Sequence, residues 1–179
     1  MNIFFLDRDP VQAAEWMVDK HVVKMILESA QLLSTAHRVI DGEMVMGSSA
    51  SGRRAKRWML SDHREDIMYK ATHVNHPSAV WCRASVQNYL WLVEHLYALL
   101  NEYTYRYGKK HKVHQMFYYL QSPPLELKEY EFTEPPAAMA DEYKVSDNVV
   151  ENYRNYYKVG KARMHSWKNR TPPDWIEHA

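Results

Sequence analysis

One long amphipathic segment constrains the fold of this chain more than any other feature. At 3.6 residues per turn, residues 19–38 (DKHVVKMILESAQLLSTAHR) form a helix with an apolar stripe beside a polar one. The polar stripe consists of His21, Lys24, Glu28, Gln31, Thr35 and Arg38. Partial burial raises the pKa of a carboxyl and neighbouring cations lower it, so a carboxylate in this setting suits acid–base catalysis. The alternative is a solvated helix face that carries an ordinary Lys24–Glu28 pair.

Length and composition favour a single domain over residues 1–179. The chain is long enough to bury a core, and its hydrophobic content of 46% is too high for a disordered protein. Its apolar runs are short and interrupted by charge, so we expect no membrane-spanning helix and no membrane partner. The opening MNIFFLDRDP lacks the basic region of a secretory signal. Because Cys82 is the only cysteine, no intrachain disulfide is possible, and we expect a reducing, cytoplasmic location.

Capping and helix-breaking residues predict an all-α fold, a compact helical bundle with two long core helices. Asp9-Pro10 starts one helix, Asp41-Gly42 makes a turn after another, and Gly108 stops the longest. Helices are predicted over residues 10–18, 19–40, 62–71, 77–107, 113–120 and 148–158. Residues 47–52 (GSSASG) are predicted to be a flexible loop, and residues 122–143, with four prolines, an extended strap over the surface.

The net charge of +1 hides a strong segregation of charge along the chain. Two short basic clusters occupy residues 53–57 and 109–112, and residues 152–173 hold six cations and no acid. A chain that separates its charges in this way can present a positive face to a polyanion. In the third cluster aromatic side chains alternate with the cations, which suits stacking on bases and contacts to phosphates. Each cluster is also compatible with a solvated surface, and the tyrosines with packing on the core.

Other kinds of chemistry find no support in the sequence. The pairs His73/His76 and His111/His114 have the spacing of metal ligands, but no third ligand is placed by spacing, so we predict no metal site. The chain has no glycine-rich phosphate-binding loop and only five glycines. No serine lies in the setting of a nucleophile elbow.

Five short motifs are similar to segments of one known enzyme family. They are the opening MNIFFLDRDP, the helix DKHVVKMILESAQLL, the dipeptide His76-Pro77, the helix YLWLVEHLYALLNEYTYRYGK and the tail segment YRNYYKVGKA. On these motifs the chain resembles the pyrimidine-dimer DNA glycosylases of the phage endonuclease V type. The motifs are individually short, and together they are spread over most of the chain.

The resemblance implies a specific reaction on double-stranded DNA. Members of that family are all-α and need no cofactor. With the help of a glutamate, an amine releases a damaged pyrimidine and then nicks the strand as an AP lyase. Glu28 falls on the position of the catalytic glutamate and His21 on a histidine of the viral members; the amine would be the terminus at Met1, with Lys20 or Lys24 as the alternatives. As classes, α-amines titrate near about 7.7–8.0 and lysines near about 10.4, so an α-amine is the better nucleophile at neutral pH.

The chain also departs from the family pattern. Asn2 does not favour removal of the initiator methionine, and the arginine that accompanies the family's glutamate has no counterpart beside Glu28, so Lys24 or Arg38 would replace it. Under the glycosylase hypothesis, DNA is contacted by Arg38, His76, Arg83, Lys161, Arg163, Trp167, Lys168 and Arg170. Two alternatives stay open: a base-modifying transferase on the same scaffold, and a non-catalytic module that binds nucleic acid or protein.

Overall fold

The computed structural model describes residues 1–177, of which about half are helical. Eight helices are present in this range: α1 (Pro10–Glu15), α2 (Asp19–Asp41), α3 (Arg64–Ile67), α4 (Pro77–Cys82), α5 (Val86–Tyr107), α6 (His114–Leu120), α7 (Val149–Val159) and α8 (Asp174–Glu177). Two strands, β1 (Glu43–Ser48) and β2 (Arg54–Met59), form an antiparallel hairpin. The fold is therefore predominantly helical but not all-α, which corrects the predicted fold class.

The long helices α2 and α5 form the centre of the core. They run antiparallel, because Arg106 near the end of α5 contacts Asp19 at the start of α2, whereas His37 near the end of α2 contacts Tyr89 near the start of α5. The apolar stripe expected on α2 is buried, as shown by Val22, Met25, Ile26, Leu32, Leu33 and Ala36. Residues 3–6 are buried as well, so the amino-terminal segment is part of the core.

A hairpin lies where a loop was predicted over residues 47–52: residues 49–53 are its turn, in line with that prediction, and the strands on either side were not predicted. Its two strands pair from Glu43↔Met59 to Ser48↔Arg54, and the turn between them uses Gly52 at a φ of +77°. Most residues of both strands are exposed, so neither strand shows the alternation of apolar and polar residues that marks a half-buried strand. This exposure explains why the sequence pattern did not indicate them.

Arg38 explains why the helix predicted over residues 62–71 shortens to α3. Its guanidinium donates hydrogen bonds to the backbone carbonyls of Glu65, Met68 and Tyr69. These carbonyls are therefore satisfied by a side chain, where a longer helix would need amides from its next turn. The chain leaves the helix at Met68 and continues as a loop to His76.

The longest predicted helix, over residues 77–107, is two helices. α4 ends at Cys82, and the Ser85 side chain caps the start of α5 by accepting the Asn88 backbone N–H at 3.1 Å. Gly108 ends α5 in the left-handed conformation, which confirms the predicted stop. A serine between two helical patterns is only a weak signal of a helix start. The apolar spacing continues across it, so the sequence predicted one unbroken helix.

The proline-rich strap crosses the surface without helix or strand from residue 121 to residue 140. Thr133 fixes it to the body, because its carbonyl accepts the Trp81 ring N–H and its backbone N–H donates to the Asn88 side chain. Asp41 at the end of α2 accepts two further backbone N–H groups of the strap, at residues 125 and 126. Within residues 1–177, no helix has the length and apolar character needed to cross a membrane.

Candidate active site

Glu28 lies beneath the amino-terminal segment, half-way along the polar stripe of α2. Only 13% of its side chain is exposed. Its Oε2 accepts the backbone N–H of Asn2 at 3.0 Å, and its Oε1 lies 3.5 Å from Nζ of the exposed Lys24. The carboxylate is thus shielded, paired with one cation and placed one residue from the terminal amine of Met1.

Asn2 holds the amino terminus in this position through its side chain. Its Nδ2 donates to the carbonyl of Ala138 in the strap at 2.8 Å, and its Oδ1 accepts the hydroxyl of Tyr153 on α7 at 2.8 Å. The same Oδ1 accepts the backbone N–H groups of Ile3 and Phe4, at 2.7 Å and 3.1 Å. Phe4 adopts a φ of +56°, a left-handed conformation that is unusual for an aromatic residue. The terminus is therefore built into the fold.

His21 lies in the core beside the site, with 2% of its surface exposed. Its ring stacks on Phe4 at a centroid distance of 4.1 Å, and its Nδ1 lies 2.6 Å from the hydroxyl of Tyr157. Burial, and after it the charges of Lys161 and Lys24, lowers the pKa of His21 to about 3. A buried ring that stays neutral in this way supports Phe4 by stacking on it.

His76 is the second imidazole near the site, and sequence reasoning predicted only a DNA-binding role for it. Its Nδ1 accepts the Ser78 N–H at 3.1 Å as the N-cap of α4, which leaves Nε2 to carry the hydrogen of the neutral ring. The pKa of His76 is lowered by partial burial and by the positive charges of the amino terminus and His73, while Glu28 opposes this shift. The charges of the terminal amine, His73 and Glu28 therefore all act on the ring of His76.

Two arginines predicted to contact DNA are instead used inside the protein. Arg38 is 2% exposed; it pairs with Glu65 and donates to four backbone carbonyls. Arg170 pairs with Glu102 and Glu15 and lies over the ring of Tyr105. The guanidinium of Arg38 is fully occupied by these partners, and the charge of Arg170 is paired with two carboxylates. Their partners are distant in sequence, so spacing along the chain could not predict these contacts.

Some of the remaining side chains predicted to contact DNA bind other parts of the protein, and others are exposed to solvent. Trp167 donates its ring N–H to the Trp16 carbonyl at 2.8 Å and so anchors the tail. Arg83 is half-buried, and its Nη1 has no protein partner within residues 1–177. Lys161 lies over the Tyr156 ring at 4.8 Å. Arg163 and Lys168 are exposed.

The basic tail is held at the start of α2, nine residues before Glu28. Asp19 accepts hydrogen bonds from the Ser166 hydroxyl and the Lys168 backbone N–H, and its own N–H donates to the Ser166 carbonyl. Burial raises the pKa of Asp19, but the hydrogen bonds from Ser166, Lys168 and Arg106 outweigh it, so the pKa lies below its usual value. The carboxylate thus fixes the tail near His21, where the charge of Lys161 is felt.

The chemistry of this site comes from a shielded carboxylate, an amine and a neutral imidazole under a positive surface. Within residues 1–177, no group of three or more His, Cys, Asp or Glu side chains is arranged to hold a metal ion. A cleft of about 530 Å³ lies between Tyr69 and Met116 and includes none of the site residues. An amine next to a carboxylate can add to an electrophilic carbon while the carboxylate takes up its proton.

No family model, curated protein or solved structure matches this chain. A functional assignment therefore depends on the geometry around Glu28.

Proposed function

We propose that this protein is a DNA repair-type glycosylase with AP-lyase activity that acts on damaged or modified pyrimidines in duplex DNA. The hydrogen bond from the Asn2 N–H to Glu28 carries the proposal. Three covalent bonds separate this nitrogen from the amine of Met1, so the amine lies within about 7 Å of the carboxylate. A nucleophile and a proton acceptor are thereby held together at a site that needs no cofactor.

The reaction balances with these groups alone. The unprotonated amine of Met1 attacks C1′ of the nucleotide, the bond from C1′ to the base breaks, and the base leaves with the electron pair and takes up a proton. Glu28 accepts the proton that the amine loses, the bond from C1′ to O4′ then breaks to form the imine, and O4′ takes up that proton. Removal of a proton from C2′ then breaks the bond from C3′ to oxygen, which releases the phosphate. Water hydrolyses the imine and regenerates the amine.

Access to C1′ requires the duplex to open at the target. Flipping a nucleotide costs a few kcal/mol and costs least at a damaged base, which is itself a source of selectivity. The cations at this end of α2 are suited to hold the phosphates on either side: Lys24, Lys161, Arg163 and Lys168. His76 can donate its Nε2 hydrogen to the leaving base or to a phosphate oxygen.

Borohydride reduction on a duplex with one abasic site tests this proposal. The wild-type protein should form a covalent adduct, and Glu28→Gln should form it about a hundredfold more slowly, because the carboxylate no longer takes up a proton. Glu94→Gln is the matched control, since Glu94 is an exposed glutamate on α5. The control should behave as the wild type.

Other outcomes assign the protein differently. Tight binding to modified DNA without adduct or strand cleavage would support a base-modifying transferase and contradict the lyase step. An adduct that forms equally fast in Glu28→Gln would show that the carboxylate is only part of the surface.

A further inference from the structure

The β1–β2 hairpin is largely exposed, and the proposed reaction does not use it. Partners across an antiparallel pair lie on the same face. One face therefore carries Met46 with Lys56 and Ser48 with Arg54. Met46, Lys56 and Arg54 are exposed.

The other face of the hairpin is shaped by Gly47. A Cβ at this position would lie 3.0 Å from Cγ of Arg57, so the arginine stem crosses directly over the glycine. Arg57 then donates to the Ser48 carbonyl at 2.8 Å. The hairpin, residues 43–59, thus holds four cations and one acid, and one of the cations is fixed along its edge.

The base of the hairpin is fixed, although its strands are exposed. Arg38 donates to the Trp58 carbonyl at 3.0 Å, and Glu65 accepts the Leu60 N–H at 2.8 Å while it pairs with Arg38. At Gly42 a Cβ would lie 2.4 Å from the Arg38 carbonyl, so only glycine permits this close departure from α2. The hairpin therefore projects from a rigid base.

We propose that the hairpin is a duplex-binding ribbon that enters the major groove of DNA beside the target nucleotide. A two-stranded β-ribbon fits that groove, and strands of six residues reach about 20 Å. Its excess positive charge complements the phosphates on both walls, and Met46 can contact the floor of the groove. The inference rests on duplex DNA as the substrate of the proposed function and is independent of its chemistry.

The position of the hairpin along α2 sets where it meets the duplex. Glu28 and Asp41, the last residue of α2, are thirteen residues apart, which corresponds to about 20 Å along a helix. At about 3.4 Å per base pair, this distance is roughly six base pairs. Contacts of the hairpin should therefore lie to one side of the target nucleotide.

Charge reversal tests the ribbon. Arg54→Glu with Lys56→Glu should weaken binding to an undamaged duplex by at least about tenfold, and should reduce the slope of log K against log salt by about two, because two phosphate contacts are lost. The matched control is Lys128→Glu with Lys144→Glu, two exposed cations outside the proposed DNA interface. Equal weakening by both pairs would overturn the inference.

A cross-link locates the contact on the DNA. Cys82 is buried, so Met46→Cys introduces one accessible thiol. This variant should form a disulfide with a duplex that carries a thiol tether on a major-groove edge, whereas Val11→Cys, exposed on α1, should not. No cross-link from Met46→Cys, or cross-linking from both positions, would contradict the ribbon.

Three further results separate the possible failures. If the wild type binds no duplex DNA, both the proposed function and the proposed role of the hairpin are contradicted. If the borohydride adduct forms and the Arg54/Lys56 variant binds duplex DNA as tightly as the wild type does, only the proposed role of the hairpin is contradicted. If that variant instead loses binding to vesicles of anionic lipid while its binding to DNA is unchanged, the hairpin is a membrane contact.

Discussion

Asn2 connects three parts of the protein at the terminal amine. Its backbone reaches Glu28 on α2, and its side chain joins the strap at Ala138 and α7 at Tyr153. Groups that must react have to be held within a fraction of an ångström of their productive positions. Asn2 is therefore the residue whose loss should separate positioning of the amine from the chemistry of Glu28.

Asn2→Leu should slow formation of the borohydride adduct by about a hundredfold, because the amine is no longer held in place. The unfolding free energy should fall by about 1–3 kcal/mol, since buried partners lose their hydrogen bonds. Asn101→Leu, at an exposed position on α5, is the control and should change neither quantity. Both effects are read from adduct kinetics and from denaturant unfolding. Unchanged kinetics would show that positioning by Asn2 is irrelevant to the reaction.

Sequence reasoning predicted the part of the site that lies on one helix. Helical spacing placed Glu28 next to Lys24, and they do contact each other. Asn2 contacts the carboxylate, and His76 comes under the influence of its charge, only through packing of distant segments, which periodicity does not describe. Arg38 was predicted to be a free cation. Its partners are backbone carbonyls, which every residue has, so the sequence does not indicate which of them bind it.

At the scale of elements, an ion-pair network joins the start of α2, the end of α5 and the tail. Arg106 is buried and donates to Asp19, Glu102 and the carbonyls of residues 15 and 17. Arg170 brings the tail to the same Glu102 carboxylate. The network fixes the tail close to the site, so the availability of its cations depends on Arg106.

Arg106→Met should lower the unfolding free energy by about 3–5 kcal/mol, because it leaves buried carboxylates without a partner. Arg163→Met is the matched control at an exposed position in the tail, and its effect should be below about 0.5 kcal/mol. Denaturant unfolding measures both. Equal stability of the two variants would contradict the structural role given to the network.

Element boundaries were predictable where a single residue dictates them and unpredictable where a tertiary contact does. Gly108 stops α5 through its own backbone freedom, so its effect could be read from the sequence. α3 ends early because Arg38 takes its carbonyls, and the hairpin exists without a buried face. Neither of these causes lies in the sequence of the element itself.

At the scale of the whole molecule, three buried histidines make stability depend on pH. Burial lowers the pKa of His21 to about 3 and those of His37 and His95 to about 4. In the unfolded chain the same groups titrate near about 6.5. Below that pH the unfolded chain binds protons that the folded chain does not, so the stabilisation is complete above it and is lost as the pH falls.

The unfolding free energy should therefore decrease as the pH is lowered from about 6.5 to about 4, by at most about 1.4 kcal/mol per pH unit for each histidine. Denaturant unfolding across this range measures the slope. His95→Gln should make the slope shallower by about one proton. A stability that is constant over the range would contradict the burial of neutral histidines.

The central claim is that the amine beside Glu28 is the nucleophile, and the site of attachment tests it most directly. After borohydride reduction on abasic DNA, the adduct is digested and the modified peptide is identified by mass spectrometry. We predict that the sugar fragment is attached to the α-amine of Met1. Attachment to Lys20 or Lys24, or to no residue at all, would contradict the claim.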